Sequence, residues 1–328
     1  MSKPKQLQST TLYKCVQTIN WLTLPLAVAT PWVLSLFGIR VQHSTRYDYF
    51  YSIEQFVPKP LERIFYPNPL TIQTVPINDT KSLFFPGIAL DTLIGTIQTF
   101  VVGLDLWKRP PQGRMRTPMI QSACFLLYAC MYISAFPLHC LKDYPLFDIS
   151  SRSFLTQALF WIDTFSTSCS PPFMLLSGLV EVGWLHESKQ FVWAAWIMTV
   201  NATLTYLGVA YQWTWITCFL HIFSQTIFCG FLIYITGKNL RETDCRHGYY
   251  RYMLMAKGYS LVFAYNGFLF WGAWISRVTH GVFCPLTSAF VGLRIAVMQY
   301  WIYCRMEADC DCVDDMFGHQ RANKKKDA

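Results

Sequence analysis

Four ionisable side chains lie inside long apolar runs of this chain: Asp91, Asp163, His221 and Arg294. A charge held in hydrocarbon is costly, so residues kept there either pair with one another or do chemistry. Counted from the lumenal ends of the runs assigned below, Asp91 and His221 stand about eight residues in, and Asp163 and Arg294 about nine. At about 1.5 Å per residue all four share a level roughly 12–14 Å below the lumenal surface, and Asn201 reaches a similar depth. Two roles fit such a layer. An aspartate can pair with Arg294 to tie helices together. Alternatively, a carboxylic acid kept neutral by burial can donate its proton to an olefin or epoxide, with Asp163 or Asp91 as the acid and His221 as a relay. Arg294, Asn201, Trp161 and Trp196 would then line the substrate chamber, and indole faces there would shield a carbocation.

Other chemistries lack their residues. The chain has no H-E-x-x-H, C-x-x-C, P-loop or G-x-G-x-x-G motif, so neither a metal nor a cofactor is expected. Cys310 and Cys312 are too closely spaced and too isolated for a metal site, and suit palmitoylation better. Ser166, Ser168 and Ser170 follow Asp163, but with no histidine nearby in sequence a nucleophilic triad is a weak reading.

The elements that must carry these residues are transmembrane helices. Of 328 residues 53% are hydrophobic and only 14% charged, which excludes a disordered chain or a nucleic-acid-binding tail. Apolar stretches of helical length fall at 18–38, 84–107, 118–138, 154–184, 191–211, 213–236, 258–278 and 285–304. The expected fold is an all-α polytopic bundle of seven to eight transmembrane helices, with Pro171-Pro172 tilting or breaking the fourth span. Its parts are a cytosolic N-terminus (1–17), a first anchor (18–38), a lumenal loop (39–83), a seven-helix bundle (84–304) and a cytosolic tail (305–328). The prolines of the 39–83 loop argue against a long helix, and its aromatics suggest a cap on the membrane surface.

Charge sets the orientation. The loop after the second span holds Lys108, Arg109, Arg114 and Arg116 without an acid, and the loop after the sixth is also basic, so both face the cytosol. Asn78-Asp79-Thr80 then lies in the lumen as a glycosylation acceptor, while Asn201-Ala202-Thr203 is buried mid-span. Cys140 and Cys284 both fall at lumenal span ends, where an oxidising compartment could join them. The end of the chain carries Lys325 and Lys326 at the dilysine spacing that coat proteins read on endoplasmic-reticulum residents.

Three families of that compartment offer resemblances. Trp107-Lys108-Arg109-Pro110-Pro111 with Arg114, Asp163-Thr164 and Cys284-Pro285 resemble the fatty-acid elongase scaffold with one helix added in front. The family's H-x-x-H-H box would fall near 194–200, where this chain reads Ala-Ala-Trp-Ile-Met-Thr-Val, so the scaffold lacks its histidine box. Asp163-Thr164, then Ser170-Pro171-Pro172 and His186-Glu187-Ser188, are similar to the arrangement in emopamil-binding sterol isomerases, whose membrane-embedded acid is shared by fungal terpene cyclases. Ser170 to Phe173 resembles a segment of the TRAM-LAG-CLN8 domain.

These readings lead to an endoplasmic-reticulum enzyme of isoprenoid or lipid metabolism, isomerising or cyclising a lipid-soluble small molecule by proton transfer. The alternatives are a non-catalytic, elongase-like lipid-binding or assembly partner, and a receptor or transporter. Matched, broken half-repeats of the transporter kind are not evident.

Overall fold

The computed structural model describes residues 11–45, 71–111, 115–141, 144, 153–211, 216, 219–220, 227–235 and 285–308. The chain is mostly helical. Its described elements are α1 (Thr11–Leu36), β1 (Gln42–Thr45), β2 (Thr71–Pro76), β3 (Ser82–Phe84), α2 (Pro86–Trp107), α3 (Pro118–Cys140), α4 (Phe154–Glu181), a 3-10 turn (Glu187–Lys189), α5 (Gln190–Ala210), α6 (227–235) and α7 (Pro285–Ala308). Five of the eight apolar stretches thus correspond to a helix within a few residues; α1 begins seven residues before the expected 18–38, α6 covers only part of 213–236, and 258–278 lies outside the described residues.

Three helical stretches, Pro86–Trp107, Pro118–Cys140 and Glu187–Ala210, are long and apolar enough to cross a membrane. α1, α4 and α7 match them in length, at 26, 28 and 24 residues. Their hydropathy is lowered by polar groups turned inward, such as the Ser-Thr run of α4 and Arg294 of α7. The distribution is inverted relative to a soluble bundle. On α2, Asp91, Thr92, Gln98 and Thr99 are buried, while Leu93, Ile97, Phe100 and Val101 are exposed. Hydroxyls on outward faces are satisfied within their own helix: Thr199 donates to the Ala195 carbonyl at 2.9 Å and Thr203 to that of Thr199 at 2.9 Å. Such internal closure is what an apolar solvent demands of a helix.

Helix ends follow local chemistry. Gly38 and Gly183 adopt positive φ (74° and 77°), a left-handed conformation that costs glycine little. Each closes a Schellman motif. Ile39 N–H donates to the Leu34 carbonyl at 3.0 Å at the end of α1, and Trp184 N–H to that of Leu179 at 2.9 Å at the end of α4. α4 begins at Ser153, whose side chain accepts from Thr156 N–H. It continues as one helix through Pro171-Pro172, so the expected break is absent. The bend-prone stretch is braced from α3, where Ser170 Oγ reaches the Cys124 carbonyl at 3.3 Å and Cys124 Sγ the Ser170 carbonyl at 3.6 Å.

The loop expected over 39–83 contains a sheet. β2 is the central strand, antiparallel to β1 (Gln42 opposite Thr74) and to β3 (Thr74 opposite Phe84). The β-branched run Thr71, Ile72, Thr74, Val75 is the sequence signal for it, overshadowed by the prolines between the strands. The sheet feeds directly into α2. Phe85, fully buried at φ 46°, donates its N–H to the Gln73 carbonyl at 2.8 Å, and Pro86 follows as the first helical residue.

α2 packs along α3, α3 along α4 and α4 against α5, while α1 and α7 both lean on α2 and on each other. Close approach of α2 and α3 depends on Gly95, where a Cβ would come within 2.9 Å of the Tyr132 ring. α2 and α7 run in the same direction, because Asp91 meets Arg294 at one level and Asp105 meets Trp301 and Arg305 further along both helices.

Candidate functional site

The expected polar layer separates into two places. The first is a closed cage around Arg294, which is fully buried on α7. Its Nε donates to Asp91 Oδ1 at 2.7 Å, Nη1 to Asn20 Oδ1 and to Gln98 Oε1 at 2.8 Å each, and Nη2 to Thr23 Oγ1 at 2.7 Å. Gln98 Nε2 also donates to Asn20 Oδ1 at 3.3 Å, linking two of these acceptors. Both charged side chains of the pair are 0% exposed. Helical spacing explains the convergence: Asn20 and Thr23 lie three apart on α1, and Asp91 and Gln98 seven apart on α2, so each pair shares a face.

Four guanidinium hydrogen bonds to protein acceptors make Arg294 a tie between α1, α2 and α7. Of the two roles the sequence offered, this is the pairing of an aspartate with Arg294, and not the one that lends Arg294 to substrate and counts Asp91 among the acids: Asp91 turns toward α7 and its Oδ1 bonds the guanidinium.

The second place is on α4, around Asp163. Asp163 is 6% exposed and is not among the residues that bond Arg294. Next to it Thr164 Oγ1 is buried with no hydrogen-bond partner, and so is Thr205 Oγ1 on α5. Thr92 and Thr99 instead bond back to the Ile88 and Gly95 carbonyls, whereas Thr287 Oγ1 on α7 is also without a partner. An unpaired hydroxyl in an apolar surrounding costs about 1–3 kcal/mol, so Thr164 and Thr205 keep hydrogen-bonding capacity that the fold does not use. α4 and α5 form a hairpin, and both hydroxyls stand roughly 22–26 Å from its turn at about 1.5 Å per residue. Trp161, one helical turn from Phe165, stacks on it with ring centroids 4.7 Å apart and planes at 9°. The depth count did not include Thr164 or Thr205; their signal was only a hydroxyl beside an intramembrane acid.

The remaining expected site residues fall in other places. Asn201 is buried on α5, where its Nδ2 donates to the Ile197 carbonyl at 2.8 Å, a self-contained role that also hides the second glycosylation pattern. Trp196 is 61% exposed and turns outward with Trp193. Asn78 is exposed in the β2–β3 turn, its Oδ1 accepting from Thr80 N–H at 3.1 Å and Thr80 Oγ1 at 3.2 Å. Cys140 is buried at the end of α3. His221, Cys284, Lys325 and Lys326 lie outside the described residues.

Further polar clusters tie helix ends. Gln121 Nε2 donates to Ser177 Oγ at 2.9 Å and to Glu181 Oε1, and Thr117 Oγ1 lies 2.6 Å from Ser177 Oγ, joining α3 to α4. Among the described residues no group of three or more His, Cys, Asp or Glu side chains could hold a metal ion. Comparison with known protein families, with curated proteins and with solved structures finds no match for the chain.

Proposed function

We propose that the chain is a multi-pass membrane enzyme of isoprenoid or lipid metabolism, acting in the endoplasmic reticulum by proton transfer from Asp163 of α4. The observation that carries this reading is Asp163 itself, a buried acid that is no part of the Arg294 cage, followed in sequence by Thr164, whose buried hydroxyl has no partner, as has that of Thr205 on α5. Asp163 in its neutral form donates its O–H proton to a carbon–carbon double bond or an epoxide oxygen. The cation that results loses a proton from a neighbouring carbon back to the carboxylate, so the acid is regenerated. The hydroxyls of Thr164 and Thr205 are free to bond a polar group of the substrate. His221 keeps its place in the proposal as a proton relay.

Lipid extracts from a host expressing the chain should contain an isomerised or cyclised lipid missing from the empty-vector host. Unchanged extracts at full expression would remove the enzymatic reading. A second reading, that of a non-catalytic lipid-binding or assembly partner, draws on the outward face of α5, where Phe191, Val192, Trp193 and Trp196 are all at least half exposed. Co-purification of a partner with unchanged lipids would favour it.

Eight spans, with both termini in the cytosol, belong to the same proposal. Parallel α2 and α7 support it, since two helices crossing in one direction must be separated by an odd number of crossings, and the eight-span reading puts five between them. Asn78 is then lumenal and should carry a glycan. Asn78→Gln should shift mobility by one glycan in microsomes, and a tag on the tail should be digested by added protease; a protected tail overturns the orientation. Replacing Lys325 and Lys326 by Ser should release the protein to later compartments, and unchanged localisation would leave the two lysines as ordinary solvating charge.

A further inference from the structure

Among the described residues, the end of the α2–α7 pair opposite the sheet sets two guanidinium groups, Arg109 and Arg305, against one carboxylate, Asp105. Asp105 accepts from Arg109 twice, from Nε at 3.3 Å and from Nη2 at 3.0 Å, and from Trp301 Nε1 at 3.1 Å. Arg305 comes no closer than 3.6 Å to the same carboxylate, beyond hydrogen-bond range. Arg305 is nonetheless only 7% exposed, and its Nε and Nη1 are buried without a hydrogen-bond partner. Two guanidinium groups thus share one carboxylate, and donors of the more buried one have nothing to donate to. Elsewhere the fold gives every nitrogen of a buried guanidinium a partner, as Arg294 shows with four hydrogen bonds.

A group that supplies negative charge and several acceptor oxygens would resolve both deficits. Phosphate does so, and guanidinium is the side chain that matches it best. Lys108 and Trp107 are exposed at the same end of α2, adding a cation and an aromatic ring of the kind that settles at a membrane–water boundary. We propose that Arg305, with Arg109 beside Asp105, binds a phosphate group at this end of the bundle. The site is separate from Asp163 and does not depend on the protein being an enzyme.

The test uses the full chain in neutral detergent, titrated with dioctanoyl phosphatidic acid, dioctanoyl phosphatidylcholine and inorganic phosphate, with native mass spectrometry and thermal shift as readouts. Phosphatidic acid binding at least roughly tenfold tighter than phosphatidylcholine identifies a lipid-borne phosphate, as expected from one charge-assisted contact set. Inorganic phosphate binding alone identifies a soluble source for the same site. Arg305→Met should abolish either binding without lowering stability, because it removes an uncompensated charge. Arg109→Gln, which frees Asp105 to neutralise Arg305, should weaken it as well. Binding by neither phosphate probe, or binding that persists unchanged in either variant, overturns the proposal.

Discussion

Arg294→Met should destabilise the protein by about 3–5 kcal/mol, the cost of leaving one member of a buried ion pair alone. The substitution strands Asp91, which is fully buried, removes the guanidinium donors to Gln98 and Thr23, and leaves Asn20 Oδ1 only its bond from Gln98 Nε2. Because those acceptors come from α1 and α2 while Arg294 is on α7, the loss should loosen three helices together. Abundance in membranes and the midpoint of thermal aggregation in detergent both report it, and near-normal values would mean that the pair contributes little. Asp91→Leu should fail in the same way, with Arg294 then stranded. Replacing both residues by apolar ones should recover much of the loss, since removing a buried pair whole is often neutral.

Asp163→Asn should leave abundance and thermal midpoint close to those of the unaltered protein and remove the lipid product. Asparagine keeps the shape and some hydrogen bonding of the aspartic acid but has no carboxylic proton to donate. With the acid gone the rate of the proton-transfer step should fall at least about a hundredfold, the usual contribution of a positioned general acid. Full activity would take the acid role away from Asp163. Thr164→Val and Thr205→Val should fold at least as well as the parent, since each removes a buried hydroxyl that has no partner in the fold.

Much of the helical frame was legible before the structure. The runs at 84–107, 118–138 and 191–211 fall within about three residues of α2, α3 and α5, because in each a proline, a glycine or a polar turn interrupts continuous apolar sequence. Gly38 and Gly183 mark the ends of α1 and α4 for the same reason. The strands were not legible, since β1 is only 4 residues and β3 only 3, too short for alternation to register against the prolines nearby.

The polar layer was half legible. Counting residues along a span gives depth, one coordinate of three; it put Asp91 level with Arg294, which it meets, while His221 lies outside the described residues. Which way a residue faces depends on the neighbour its helix acquires, and that depends on packing detail such as Gly95 against Tyr132. Asp91 shares a face with Gln98 and meets α7, whereas Asp163 lies on α4, which packs between α3 and α5. The neutral members of the cage, Asn20, Thr23 and Gln98, carried no charge to draw notice, yet they supply three of the four acceptors around Arg294.

The central claim is that the buried polar residues divide into a structural tie at Asp91–Arg294 and a working acid at Asp163. The measurement that tests it most directly is the lipid product formed by the charge-free double variant Asp91→Asn with Arg294→Gln, normalised to the amount of protein in the membrane. Amides in both places preserve much of the hydrogen bonding while removing both charges. The division predicts product per molecule close to that of the unaltered protein; normal abundance with no product would contradict it, by showing that the pair takes part in the chemistry.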